Sequence, residues 1–225
     1  MLIEFENVAV RLDERVVLSD LNLRLSEDRI GIIGSNGSGK STLARLINGL
    51  VRPCAGFVRL DGQCIEPNKR TLLRRVGFVF QNPENQLVLP IVGEDLLWGL
   101  DAKAFSLGQR EQKVRAVLEN LGVSDLLPRS VHTLSGGEKQ LVALAGVLVT
   151  EPDLIIFDEP TTQLDLRMRN RLVDIIDQLP QQAIIVSHDL PLVERMDRVL
   201  VLDRGTVAFD GKPQDALAWY RQHCA

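Results

Sequence analysis

Gly34-Ser35-Asn36-Gly37-Ser38-Gly39-Lys40-Ser41 fits the pattern G-x-x-x-x-G-K-[ST]. The apolar run at 29–33 (Arg-Ile-Gly-Ile-Ile) leads into it, and leucines and an isoleucine at helical spacing follow over 41–50, stopping at Gly49. A strand, a glycine loop and a helix in that order make an anion-binding concavity. The glycines let the backbone curl so that successive N–H groups point inward, and the positive end of the helix is aimed at the same place. The pattern predicts a triphosphate held by Gly34, Ser35, Asn36, Gly37, Ser38, Gly39, Lys40, Ser41 and Thr42. Lys40 is expected to reach the β- and γ-phosphates, and the Ser41 hydroxyl to bind Mg²⁺.

A second piece lies at 154–159, where Leu-Ile-Ile-Phe is followed by Asp158 and Glu159. An apolar strand ending in acid suits a phosphate-loop site, with the aspartate supporting Mg²⁺ and Glu159 polarising the attacking water. Alone it is a weak signal; its value comes from the consistent roles it takes beside the loop. Leu134-Ser135-Gly136-Gly137-Glu138 opens an apolar helix that runs to Val149. A serine N-cap on a core helix accounts for Ser135 but not for the paired glycines. Serine and glycines at a helix start read as a second phosphate-binding end, and two such ends in one chain point to a dimer in which one serves the partner's nucleotide. Gln81 and His188 each follow a strand. A lone glutamine is ordinarily a surface amide and a lone strand-end histidine ordinarily makes a routine hydrogen bond.

Outward from these motifs, 2–6 and 21–25 alternate apolar and polar, 56–60 ends in the turn signal Asp61-Gly62, and 75–80 reads as a buried strand. Val114, Val117, Leu118 and Leu121 form an amphipathic stripe before Gly122. Residues 167–179 read as a helix and 183–187 as a strand, while 199–202 and 206–209 flank Asp203-Arg204-Gly205 as a hairpin. No repeat or low-complexity tract interrupts the pattern. Strands alternating with helices on either side of a helical block predict an α/β core with an inserted helical subdomain.

Composition bounds the function. The 225 residues are 45% hydrophobic and 25% charged, an ordinary soluble balance, and the net charge of −4 argues against a nucleic-acid partner. The basic cluster Lys69, Arg70, Arg74 and Arg75 reads as a solvated helix face. The opening Met-Leu-Ile-Glu-Phe-Glu has acids where a secretory signal needs an apolar run. The longest apolar stretch, 141–149, is far shorter than the roughly 20 residues that span a bilayer. Cys54, Cys64 and Cys224 have neither CxxC pairing nor a histidine constellation, so reduced cytosolic thiols are expected.

Taken together and in order, these motifs resemble the ATP-binding cassette (ABC) ATPase family over essentially the whole chain. The resemblance implies an α/β phosphate-loop nucleotide-binding domain with an N-terminal antiparallel β-subdomain. It spans 1–225 as one domain, with the core at 1–83 and 150–225 and a helical subdomain at about 84–149. It implies ATP and Mg²⁺ as ligands, with Ser41, Gln81 and Asp158 as metal contacts. Glu159 becomes the general base, His188 the γ-phosphate sensor, and Gln81 the link to a membrane partner. Two subunits would face head to tail, Ser135, Gly136 and Gly137 of one meeting the nucleotide of the other, and Asp165 of the D-loop touching the opposite subunit.

A narrower likeness lies in Gln81-Asn-Pro-Glu-Asn-Gln86 and 93–99 (Gly-Glu-Asp-Leu-Leu-Trp-Gly), which is similar to the ATPases of energy-coupling-factor (ECF) importers of vitamins and transition metals. It implies ATP hydrolysis coupled to import at the cytoplasmic face of the cell (inner) membrane, a second ATPase subunit, a transmembrane coupling subunit and a substrate-binding membrane protein. The end of the chain at Ala225, without a further dimerisation segment, is similar to the biotin importers of that class. The alternatives are a cobalt or nickel importer, another ABC importer, or a soluble ABC ATPase of DNA repair or translation, a class whose usual long coiled-coil insert or tandem second cassette this sequence does not show. Three features depart from the family pattern: Leu12 stands near the usual adenine-stacking aromatic, Glu138 replaces the commoner glutamine, and Thr162-Gln163 replace small residues.

Overall fold

The computed structural model describes residues 1–66 and 70–223, without the side chains of Arg70 and Thr71. Lys69 of the basic cluster and Cys224 lie outside the described residues. The strands are β1 (Ile3–Leu12), β2 (Arg15–Leu25), β3 (Arg29–Gly34), β4 (Ala55–Leu60), β5 (Gln63–Cys64), β6 (Val76–Val79), β7 (Leu154–Asp158), β8 (Gln182–Val186), β9 (Arg198–Asp203) and β10 (Thr206–Gly211). The α-helices are α1 (Lys40–Ile47), α2 (Arg70–Leu73), α3 (Val92–Trp98), α4 (Leu107–Asn120), α5 (Gly136–Leu148), α6 (Leu166–Gln178), α7 (Leu190–Val193) and α8 (Pro213–His223). The chain forms two compact units: Met1–Phe78 with Asp153–Glu159 and Gln181–Ala225, and Val79–Pro152 with Pro160–Pro180.

The first unit is α/β. Its six-stranded sheet has the order β10-β9-β3-β8-β7-β6. The β3–β8, β3–β9 and β7–β8 pairs are parallel, and β10 closes one edge antiparallel to β9. Every residue of β7 and β8 is buried, as are Ile30, Ile32 and Ile33 of β3. That explains why these strands read as continuous apolar runs rather than alternating ones: a parallel strand covered on both faces has no polar side. A ligand site in such a sheet belongs at the carboxyl ends of the strands, and β3, β7 and β8 each lead directly into a motif residue.

The second sheet is antiparallel, ordered β2-β1-β4-β5. Its first hairpin is far longer than 2–6 and 21–25 predict. Register shifts interrupt β1 between Phe5 and Val8 and again around Val10. Asn7 and Asp20 sit at φ +48° and +51°. Each bulge moves the following side chains to the other face, so the period-two signal is lost although pairing continues.

The second unit is helical. In α5 the run Leu141, Val142, Ala143, Leu144 and Ala145 is buried on all sides, which makes it the unit's central helix, against α3, α4 and α6. Helix α6 shows only one buried stripe, Leu172, Val173 and Ile176. Of the basic cluster, Arg75 belongs to the first unit and is ion-paired to Asp61 (2.7 Å) and Asp153 (2.6 Å), which ties it to the fold. Cys54 and Cys64 are free thiols. Among the described residues no helix is long and apolar enough to cross a membrane.

Candidate functional site

Gly39 is the N-cap of α1 at φ +104°, and a Cβ there would come within 2.5 Å of Leu18 Cδ2, so only glycine allows both the bend and the approach. The loop thus turns from β3 into α1 with the helix's unpaired N–H groups at its centre. Lys40 is buried, its Nζ donating to the carbonyls of Gly34 (2.9 Å) and Ser35 (3.0 Å). Burial pushes its pKa down, against the attraction of Glu159 and Asp158. A desolvated ammonium held by two weak acceptors gains strongly from a polyanion delivered to the loop. Ser35 and Thr42 are half-buried, Asn36 and Gly37 exposed, and Ser38 buried with no partner for its Oγ.

Although 117 positions apart, Ser41 Oγ donates to Asp158 Oδ1 at 2.8 Å. The parallel sheet causes this meeting, because β7 ends level with the loop. Asp158 Oδ2 lies 3.7 Å from Arg45, a neighbour the sequence reading missed; its signal was the i+4 spacing from Ser41 on α1. One hydroxyl and one carboxylate make a hard, all-oxygen donor pair suited to Mg²⁺, a cation that needs only one or two protein oxygens beside phosphate and water. Among the described residues no cluster of three or more His, Cys, Asp or Glu could hold a metal by itself.

Glu159 sits at φ +53°, its N–H bonded to the Val186 carbonyl at 2.9 Å. This kink turns the side chain back to β8, where Oε2 accepts from the His188 N–H at 3.2 Å. Its Oε1 lies 3.2 Å from His188 Nε2 but lacks hydrogen-bond geometry to it. Burial raises the Glu159 pKa above the usual carboxylate range, with His188 and Lys40 opposing and Asp158 adding to the rise. A carboxyl so placed is a better proton acceptor than a solvated one. The first unit therefore brings together the loop, Asp158, Glu159 and His188.

Gln81, Ser135, Gly136, Gly137 and Asp165 belong to the second unit. Gln81 is exposed just after β6. Ser135 caps α5 in a capping box: its Oγ accepts from the Glu138 N–H at 3.3 Å, and Glu138 Oε2 accepts from the Ser135 N–H and Oγ, both at 2.7 Å. Arg129 pairs with the other Glu138 oxygen at 3.0 Å. The two glycines differ. A Cβ on Gly136 would meet nothing within 4 Å, whereas one on Gly137 would fall 2.3 Å from Met168 Cγ. Asp165 caps α6, accepting from the Met168 N–H at 2.8 Å. The Gln81–Gln86 stretch is tied to α5 twice, by Glu84 to Lys139 (2.5 Å) and by Gln86 Nε2 donating to the Ala143 carbonyl (2.6 Å). The sequence shows the two glutamines but not this anchoring.

Residues 18–162 match the family model described as ABC transporter. The chain is 45% identical over 225 residues to the biotin transport ATP-binding protein BioM of Rhizobium etli, covering 100% of both chains. It is 35% identical over 216 residues to the energy-coupling factor transporter ATP-binding protein EcfA1 of Mycoplasma pneumoniae, covering 94% of this chain and 79% of that one. Among solved structures it is similar to cbiO1 from Clostridium perfringens, described as part of the ABC transporter complex cbiONQ. That match has a TM-score of 0.83 and 30% identity, over 99% of this chain and 95% of that one.

Proposed function

The chain belongs to the ABC transporter ATPase family, of the energy-coupling-factor type, and from that premise we propose that it hydrolyses Mg-ATP as one half of a paired ATPase driving vitamin import, with biotin as the cargo. ATP hydrolysis coupled to transport is the family's activity. The biotin assignment is supported by the full-length likeness to BioM. The observation that carries the catalytic reading is the convergence, at the carboxyl ends of β3, β7 and β8, of the Ser41–Asp158 hydrogen bond and the Glu159–His188 pair.

In this reading the loop N–H groups and Lys40 hold the triphosphate. Ser41 Oγ and Asp158 would hold Mg²⁺, which would supply positive charge to the phosphate oxygens. Glu159 takes the proton of the water attacking the γ-phosphorus while the bond to the β–γ bridging oxygen breaks toward ADP. His188 stands beside Glu159 and reports the γ-phosphate. Gln81, exposed on the second unit, is the residue proposed to link ATP binding to the membrane subunits.

The N-terminal end of α5 at Ser135 and Gly136 meets a second copy's triphosphate. The open space around Gly136 and the exposure of Ser135 support that role. Asp165 faces the partner subunit. A transmembrane coupling subunit and a substrate-binding membrane protein complete the assembly, with this chain peripheral on the cytoplasmic side.

The test is transport. The chain is co-expressed with its native membrane partners and reconstituted in vesicles, and ATP-dependent uptake of labelled biotin, cobalt and nickel is measured. Uptake of biotin alone is the expected result. Uptake of a metal ion in its place would discard the biotin assignment while keeping the ATPase reading.

A further inference from the structure

Gly137 has no side chain of its own, and Met168 fills the space that one would take. A Cβ at Gly137 would fall 2.3 Å from Met168 Cγ, 3.0 Å from its Cε and 3.1 Å from its Cβ. The sulfur is bonded to both Cγ and Cε, so it is part of this contact. The backbone of Met168 is fixed as well, its N–H donating to Asp165 Oδ1 at 2.8 Å in the first turn of α6. One thioether therefore joins the starts of two helices within the second unit: α5, capped by Ser135, and α6, capped by Asp165.

Besides Met1, the chain has two methionines, Met168 and Met196, and both lie against a glycine. Met196 is 5% exposed, its Cγ 3.2 Å from where a Cβ on Gly31 of β3 would stand. Met168 is only half-buried. A thioether is a flexible apolar filler that a dissolved peroxide oxidises where it can reach the sulfur. Solvent reaches Met168 and is kept from Met196.

We propose that Met168 is a redox-sensitive site whose oxidation by hydrogen peroxide to methionine sulfoxide separates the starts of α5 and α6 and so prevents ATP-driven pairing of two copies. The inference rests on the reading that Ser135 and Gly136 meet a second copy's triphosphate. In the reaction a sulfur lone pair attacks one peroxide oxygen. The S–O bond forms, the O–O bond breaks, and the other oxygen leaves as water with both peroxide protons. Sulfur gives up two electrons and peroxide accepts them. The product is polar where the thioether was apolar. Its new oxygen has no room on the Gly137 side, where even a Cβ is too close. It is also an acceptor beside the first turn of α5, whose Gly136 and Gly137 N–H groups have no partner within the helix. If the side chain swings outward, Gly137 loses its support; if it stays, the oxygen sits on donors that a phosphate needs. Both outcomes disturb the end of α5 and leave the phosphate loop, which belongs to the first unit, as it is.

The experiment treats the full chain with hydrogen peroxide in the absence of nucleotide and maps the products by peptide mass spectrometry. Met168 is expected to be oxidised while Met196 is spared. ATP-induced dimerisation, by light scattering, and ATP turnover should then fall by about tenfold or more, while ATP binding to the monomer, by calorimetry, stays within about twofold. Methionine sulfoxide reductases A and B with dithiothreitol should restore both activities; dithiothreitol alone, which reduces oxidised cysteines, should not. Met168→Leu keeps an apolar side chain of similar volume and has no sulfur. Peroxide should lower its turnover by less than about twofold from its own untreated rate. A thermal melt shows whether each form is folded. Full oxidation of Met168 with unchanged dimerisation, or an equal peroxide loss in folded Met168→Leu, overturns the proposal. So does loss of ATP binding by the oxidised monomer. If the untreated chain binds ATP but does not pair in it, the reading of the α5 end falls, and this inference with it.

Discussion

Glu138 accepts hydrogen bonds from both the backbone N–H and the hydroxyl of Ser135, at 2.7 Å each. These bonds hold the Glu138 pKa below the usual carboxylate range, so the group is ionised at neutral pH. The serine proposed to meet a partner's triphosphate therefore already donates to an anion, and closing the dimer would bring a second anion to the same hydroxyl. Arg129 offsets part of that charge. Glutamine at 138 can keep the cap without the charge.

Glu138→Gln is accordingly expected to tighten ATP-induced dimerisation by roughly three- to tenfold at low ionic strength, with the gain shrinking as salt screens the repulsion. Light scattering of the variant in ATP at two salt concentrations measures this. Weaker dimerisation than wild type at both would contradict the charge argument. The cap itself acts in the other direction in acid: stability from a lowered carboxyl pKa is present at neutral pH and fades as pH falls through that pKa.

Glu159→Gln should retain ATP binding and trap a closed dimer, with turnover reduced at least about 10²-fold, the usual range for a lost general base. A normal hydrolysis rate would remove Glu159 from the role of base.

The raised pKa of Glu159 has a stability consequence of definite sign. Below the unfolded-state value the carboxyl is protonated in both states and costs nothing extra. As pH rises through the folded value, ionising a buried carboxylate destabilises the fold. Glu159→Gln should therefore raise the melting temperature more at pH 7 than at pH 4. The ATPase rate of the wild type should fall, as pH is lowered, with an inflection above that of an exposed glutamate.

Ser135→Arg places a bulky cation at the start of α5. Turnover is expected to be abolished while nucleotide binding to the monomer is kept. Loss of binding by the monomer would assign Ser135 to its own subunit's site instead.

Gly137→Ala drives a Cβ to 2.3 Å from Met168 Cγ. Overpacking of this kind costs roughly 1–3 kcal/mol, and Met168→Ala in the same chain should recover a large part of it. Denaturant melts of the two single variants and the double provide the cycle. Additive losses would show that the two positions do not press on each other.

The motifs were legible because each is a local demand on the backbone. A loop that bends around an anion needs Gly39, a helix start is marked by Ser135, and a doubly covered strand shows as Leu-Ile-Ile-Phe before Asp158. The Asp203-Arg204-Gly205 hairpin could be read for the same reason. The middle of the β1–β2 hairpin was not legible, since the bulges near Asn7 and Asp20 erase the alternation that would announce it. Arg45 was passed over because its role depends on Asp158, which is distant in the chain.

By itself, the sequence determined the chemistry on offer: a phosphate loop, an acidic strand end, a capped glycine helix and the order in which they come. The tertiary structure decided what each group is already doing. Ser41 is bonded to Asp158, Glu159 is folded back on His188, and Gly137 is pressed on Met168 while Gly136 faces open space. The physical reason is that backbone conformation follows from neighbours along the chain. The partner of a side chain follows from where parallel strands end and bulges turn, and no local pattern records that.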